Sequence, residues 1–70
     1  MDIRFDERAD ALYIQFRTGK HVKKTVKLQD GVLLDIDRAG RLFGLEILDV
    51  RSRIPLAQLG HVSVHLPVHA

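Results

Sequence analysis

Asp35 and Asp37 stand two residues apart in Val32–Asp37, a segment of alternating character. On a strand that spacing puts both carboxylates on one face. Such a pair can hold a hard cation or divide the roles of general acid and base. Glu46 is the third acidic candidate, and a weak metal-assisted or acid/base enzyme using Asp35, Asp37 and Glu46 is one reading of the chain. Two points weigh against it. Asp37 has a use in the turn that follows it, and the register expected below sends Glu46 to the opposite face. No metal and no cofactor is therefore expected.

The basic residues Lys20, Lys23, Lys24 and Lys27 crowd one hairpin. They give a second reading, a nucleic-acid-binding β-hairpin that tracks phosphates. The aromatics are few (Phe5, Tyr13, Phe16, Phe43), and no stacking platform interleaves with the lysines. Lysines along a strand also keep sheet edges from pairing, so nucleic acid is not the expected partner. His61, His65 and His69 recur every fourth residue. On an extended strand neighbours in this series lie about 13 Å apart, too far to share one zinc. The chain has no Cys, its only serines are Ser52 and Ser63, and its five glycines stand singly. Thiol nucleophile, nucleophile elbow and phosphate loop are thus all missing, and no enzyme is expected.

These side chains need elements to hold them, and the chain reads as short strands between turn signals. Asp2–Phe5 and Ala11–Arg17 alternate, with the polar run Asp6–Asp10 as a turn between them. Thr18-Gly19-Lys20 suits a hairpin loop, and Val22–Leu28 alternates again. Lys24 interrupts the apolar side of that segment, which marks an edge or a bulge. After Gln29-Asp30-Gly31 come Val32–Asp37 and Leu42–Leu48, joined by Arg38-Ala39-Gly40. Asp37 can open a type I turn there, with Gly40 in the left-handed position and Arg41 facing Asp37 across the ladder.

That register makes the central hairpin apolar on both sides. Val32, Leu34, Ile36, Leu42 and Leu48 share one face with Gly44 and Glu46. Leu33, Phe43, Leu45 and Ile47 share the other. Glu46 then needs a partner such as Arg4, Arg17 or Tyr13. Gly44 can mark a bulge or a close backbone approach, and a bulge would exchange the faces beyond it. The C-terminal part changes character. Asp49 or Ser52 can cap a short helix with Pro55 in its first turn, Ile54, Leu56 and Leu59 as its apolar stripe, and Gly60 at its end. Val62, Val64 and Leu66 then alternate with polar residues, as in a last short strand or an extended tail.

With 70 residues the chain is one small domain, 1–70. It is 46% hydrophobic and 29% charged, with net charge +2, which is a globular composition. So small a core rarely yields more than about 3–5 kcal/mol without a staple, and disulfides are excluded. Oligomerisation is the expected support. No apolar run approaches the roughly 18 residues of a membrane span, and the charged start excludes a signal peptide. A cytoplasmic protein with no membrane contact is expected. The fold expected is α+β: a small antiparallel β-meander of four to five strands, one short C-terminal helix and room for a last short strand.

Three blocks carry a resemblance. Phe5-Asp6-Glu7-Arg8-Ala9-Asp10-Ala11-Leu12-Tyr13-Ile14, Asp30-Gly31-Val32-Leu33-Leu34-Asp35-Ile36-Asp37 and Gly40-Arg41-Leu42-Phe43-Gly44-Leu45-Glu46-Ile47-Leu48-Asp49 fall in this order. Together they resemble the bacterial family called domain of unknown function 2283 (DUF2283), over about residues 1–50. The resemblance implies a small α+β domain with no established activity. It also implies a place beside small toxin-like proteins, and so an antitoxin-like or regulatory role. It supplies no catalytic residue. Many relatives end soon after the position of Asp49, with a short charged helix, so residues 54–70 depart from the resemblance.

The function expected is thus a non-enzymatic protein–protein interaction module. A homo-oligomer is expected, with a dimer favoured, and a small protein is a further candidate partner. Leu33, Phe43, Leu45 and Ile47, together with Val62, Val64 and Leu66, are the expected binding residues.

Overall fold

The structure is a computed structural model and describes residues 1–68. Five strands form one antiparallel sheet: β1 (Asp2–Asp6), β2 (Ala11–Gln15), β3 (Val22–Gln29), β4 (Val32–Asp37) and β5 (Leu42–Ile47). Two single-turn helices follow, α1 (Val50–Arg53) and α2 (Leu56–Leu59). The small antiparallel α+β fold expected from the sequence is the one formed. The strand order is β1-β2-β5-β4-β3. Only β3, β4 and β5 run as a meander, and β2 pairs with β5, with β3 and β4 lying between them in the sequence.

The turns form for local reasons. The Asp6 carboxylate accepts the backbone N–H groups of Arg8 and Ala9 at 3.0 and 3.1 Å, which closes the β1–β2 turn. Gly40 sits at φ 79°, and its N–H reaches the Asp37 carbonyl at 3.1 Å. Asp37 Oδ1 accepts the N–H groups of Ala39 and Arg41, each at 2.9 Å. Arg41 Nε donates to Asp37 Oδ2, also at 2.9 Å, so the expected pairing of Asp37 with Arg41 is present.

One residue alters the expected faces. Asp35 pairs with Gly44, and Ile36 pairs with Leu42, which leaves Phe43 with no partner on β4. This is a β-bulge, and it shifts the alternation of β5 by one. Leu45 therefore pairs with Leu34, and Ile47 with Val32, on the apolar face. Leu33 pairs with Glu46 on the polar face. The expected group of Leu33, Leu45 and Ile47 on one face is corrected accordingly, as is the expected sharing of a face by Glu46 and Leu34.

The apolar face carries Ile3 and Phe5 of β1, Leu12 and Ile14 of β2, Leu45 and Ile47 of β5, and Val32, Leu34 and Ile36 of β4. Among these only Leu12 is buried; the core proper is Leu12, Phe43 and Val50. The helices touch the sheet sparingly. Val50 N–H donates to the Asp10 carbonyl at 3.1 Å, and the Arg51 guanidinium lies over the Phe5 ring, 5.8 Å from its centroid. Arg53 Nη2 donates to the Asp30 carbonyl at 2.7 Å, so α1 straps two hairpin turns at one end of the sheet.

Pro55 divides the expected single helix into two. It biases Ile54 out of the helical region, and Ile54 sits at φ −132°, ψ 129°. Asp49 precedes α1 in a left-handed conformation and makes no side-chain cap, unlike the cap expected of it. Of the two forms expected for the C-terminal segment, a last short strand or an extended tail, the strand does not form: residues 61–68 belong to no strand.

Candidate functional site

The polar face is a lattice of cross-strand rows. One row runs Arg4, Tyr13, Glu46, Leu33, Lys27, and the next runs Asp2, Gln15, Gly44, Asp35, Thr25. Tyr13 leans across the rows. Its ring and hydroxyl occupy the space where a Cβ on Gly44 would sit. The missing side chain lets Tyr13 Oη donate to Asp35 Oδ2 at 2.6 Å. Thr25 Oγ1 donates to the other Asp35 oxygen at 2.5 Å. One carboxylate thus ties three strands together through two hydroxyls.

Burial, the acceptor Asp35 and the charges of Asp35 and Glu46 all disfavour a tyrosinate, and the Tyr13 phenol is pushed up to about 12. At neutral pH it is a fixed donor. Glu46 stands directly opposite Tyr13 in the ladder, but the Tyr13 hydroxyl is given to Asp35, so the register neighbour is not the hydrogen-bond partner expected for Glu46. Asp37 lies on the same face, but its carboxylate is held by the Arg41 N–H, the Arg41 guanidinium and the Ala39 N–H. The Arg41 backbone bond is the chief cause of a pKa below the usual carboxylate range. The acidic candidates therefore have separate attachments: Asp35 to hydroxyls, Asp37 to its own turn. No cluster of metal-ligating side chains occurs among the described residues.

The lysines do not form one ridge. Lys23 is the unpaired residue of a bulge on β3, Lys24 opposes Ile36 on the apolar face, and Lys27 opposes Leu33 on the polar face. Lys20 lies in the preceding loop. Lys27 Nζ meets Asp30 Oδ1 at 2.6 Å, with both groups exposed, so the pair adds little. His61 and His65 lie in the irregular segment, and His69 is outside the described residues.

The expected binding residues fall into four places. Leu45 and Ile47 are half-buried on the apolar face, and Phe43 is buried at the bulge. Leu33 is half-buried on the polar face. Val62, Val64 and Leu66 are 59%, 71% and 77% exposed. What the sequence reading missed is the Tyr13–Asp35–Thr25 group. Its signal was Gly44, a glycine mid-strand with a large residue able to lie over it.

A family model described as "Protein of unknown function (DUF2283)" matches residues 2–51, which span all five strands and the start of α1. No curated protein and no solved structure matches the chain.

Proposed function

The chain belongs to the DUF2283 family, whose description assigns no activity, and we propose from its own residues that it is a non-enzymatic protein–protein interaction module. One observation carries the reading. The sheet has an apolar face, yet two single-turn helices at one end are its only other regular elements among the described residues. A sheet with an apolar face requires a second layer, and the chain leaves most of that layer to be supplied. The engagement of Asp35 and Asp37 in structural hydrogen bonds supports the non-enzymatic part. A small toxin-like protein is the partner class that the family resemblance implies.

The test is affinity capture of the tagged full chain from its native lysate, with and without nuclease, beside the variant Leu45→Lys. The expected result is one small protein in fixed ratio, an untagged copy of this chain or a second small protein, retained after nuclease and lost with Leu45→Lys. Capture that vanishes with nuclease overturns the reading in favour of the lysine-rich β3. Capture unchanged by Leu45→Lys removes the apolar face from it.

A further inference from the structure

The exposed area and the shape of the chain both depart from those of a self-sufficient domain. A folded monomer of 8.0 kDa exposes about 4,450 Å² by the usual scaling. This chain exposes 5750 Å², an excess of about 1,300 Å² over that scaling. Its radius of gyration is 13.7 Å, against about 11 Å for a compact chain of this length. Paired in two copies, the excess amounts to roughly 2,600 Å², within the class of obligate homodimers.

The excess has two sources. One is the open apolar face, on which Ile14, Leu34 and Leu45 are only half-buried at its centre. The other is the strip 61–68, whose valines and Leu66 lie exposed. Fully extended, eight residues reach about 26 Å, enough to cross a sheet of five strands spaced about 4.8 Å apart. The sheet edges are poor alternatives. The β3 edge is broken by bulges at Lys23 and Leu28, and β1 is a five-residue strand carrying Asp2, Arg4 and Asp6. Association is thus directed to the face.

We infer that the apolar face is covered by a second copy of this chain, face against face about a two-fold axis near Leu45, with the strip 61–68 buried in the same interface. The inference rests on the interaction-module reading and names the occupant. Such a contact is isologous: each copy offers the same patch. Leu45 lies on β5, the central strand, so the axis brings it close to its counterpart.

The chain has no Cys, so single thiols can be placed at will. The experiment measures mass in solution by light scattering for the full chain, for Leu45→Cys and Leu33→Cys, and for the chain without residues 61–70. Circular dichroism checks the fold of each. The expected result is a mass twice that of one chain and a Leu45→Cys disulfide between copies under mild oxidation. Leu33→Cys, on the polar face, stays unlinked, and the deletion weakens the dimer. A monomer whose Leu45→Cys thiol reacts freely overturns the second copy but leaves the module reading standing. A monomer whose thiol is protected until residues 61–70 are removed overturns both, since the chain then covers itself. A dimer linked through Leu33→Cys, or one with a freely reacting Leu45→Cys thiol, overturns the face. A deletion without effect on the dimer overturns the strip's part in it.

Discussion

Tyr13 is the only tyrosine in a chain without tryptophan, so its titration is directly visible. Ultraviolet absorbance should show tyrosinate forming near pH 12 and not near the ordinary value of 10.0. A pKa raised on folding stabilises the fold fully below the unfolded value. That contribution is lost as pH rises through the folded one. Stability should therefore fall between about pH 10 and 12, and Tyr13→Phe should remove that limb. Gly44→Ala should displace Tyr13 from Asp35 and cost about 1–3 kcal/mol in urea unfolding. Combined with Tyr13→Phe, the costs should add to less than their sum, because both changes break the same bond. Asp37 gives the opposite sign. Its pKa is depressed, so its contribution is present above the unfolded carboxylate range and is lost as pH falls through the folded value. Asp37→Asn should flatten the acid limb of a stability–pH profile, and an unchanged limb would remove Asp37 as its source.

The elements divide by how local their causes are. The loop after Asp37 was legible because its capping carboxylate, its left-handed glycine and its facing arginine lie within five residues. The bulge at Phe43 was legible only as a suspicion at Gly44. Apolar and polar periodicity counts residues but not partners, and one unpaired residue turns every later side chain over. The start of α1 was legible in position, since Asp49 is its N-cap residue, but not in what holds it. Its acceptor is Asp10, whose Oδ1 takes the Arg51 N–H at 3.1 Å from the far β1–β2 turn. Asp10 itself holds φ 51°. Asp10→Gly should keep that backbone and lose only the cap. Asp10→Ala should lose both and destabilise by about 1 kcal/mol more, read as the difference between two denaturation midpoints. Equal costs would mean that the conformation carries no strain.

At the scale of the whole molecule, the expected need for an outside layer persists, but the face that asks for it differs. The sequence suggested a hairpin apolar on both sides. The folded sheet is apolar on one side and bears the Tyr13, Glu46 and Asp35 lattice on the other. The strand order was illegible because no local signal says which hairpins will meet. The inferred dimer is held by apolar surface, so its dissociation constant should hold steady as sodium chloride is raised. Its melting temperature should climb with protein concentration. Dissociation on adding salt would instead point to the charged groups of β3.

The strand order also sets a sequence of events in time. Three of the four ladders join strands adjacent in the chain, and each can zip from its own turn. The β2–β5 ladder alone joins distant segments, pairing Leu12 with Ile47 and Gln15 with Gly44. It must wait for a long loop to close, a step whose entropy no local turn can offset. The chain therefore behaves kinetically as two halves meeting at one seam. Weakening the seam at Ile14 or Leu45 should slow refolding, and loosening the Asp37–Arg41 turn, which forms before the seam closes, should likewise slow refolding and leave the unfolding rate little changed.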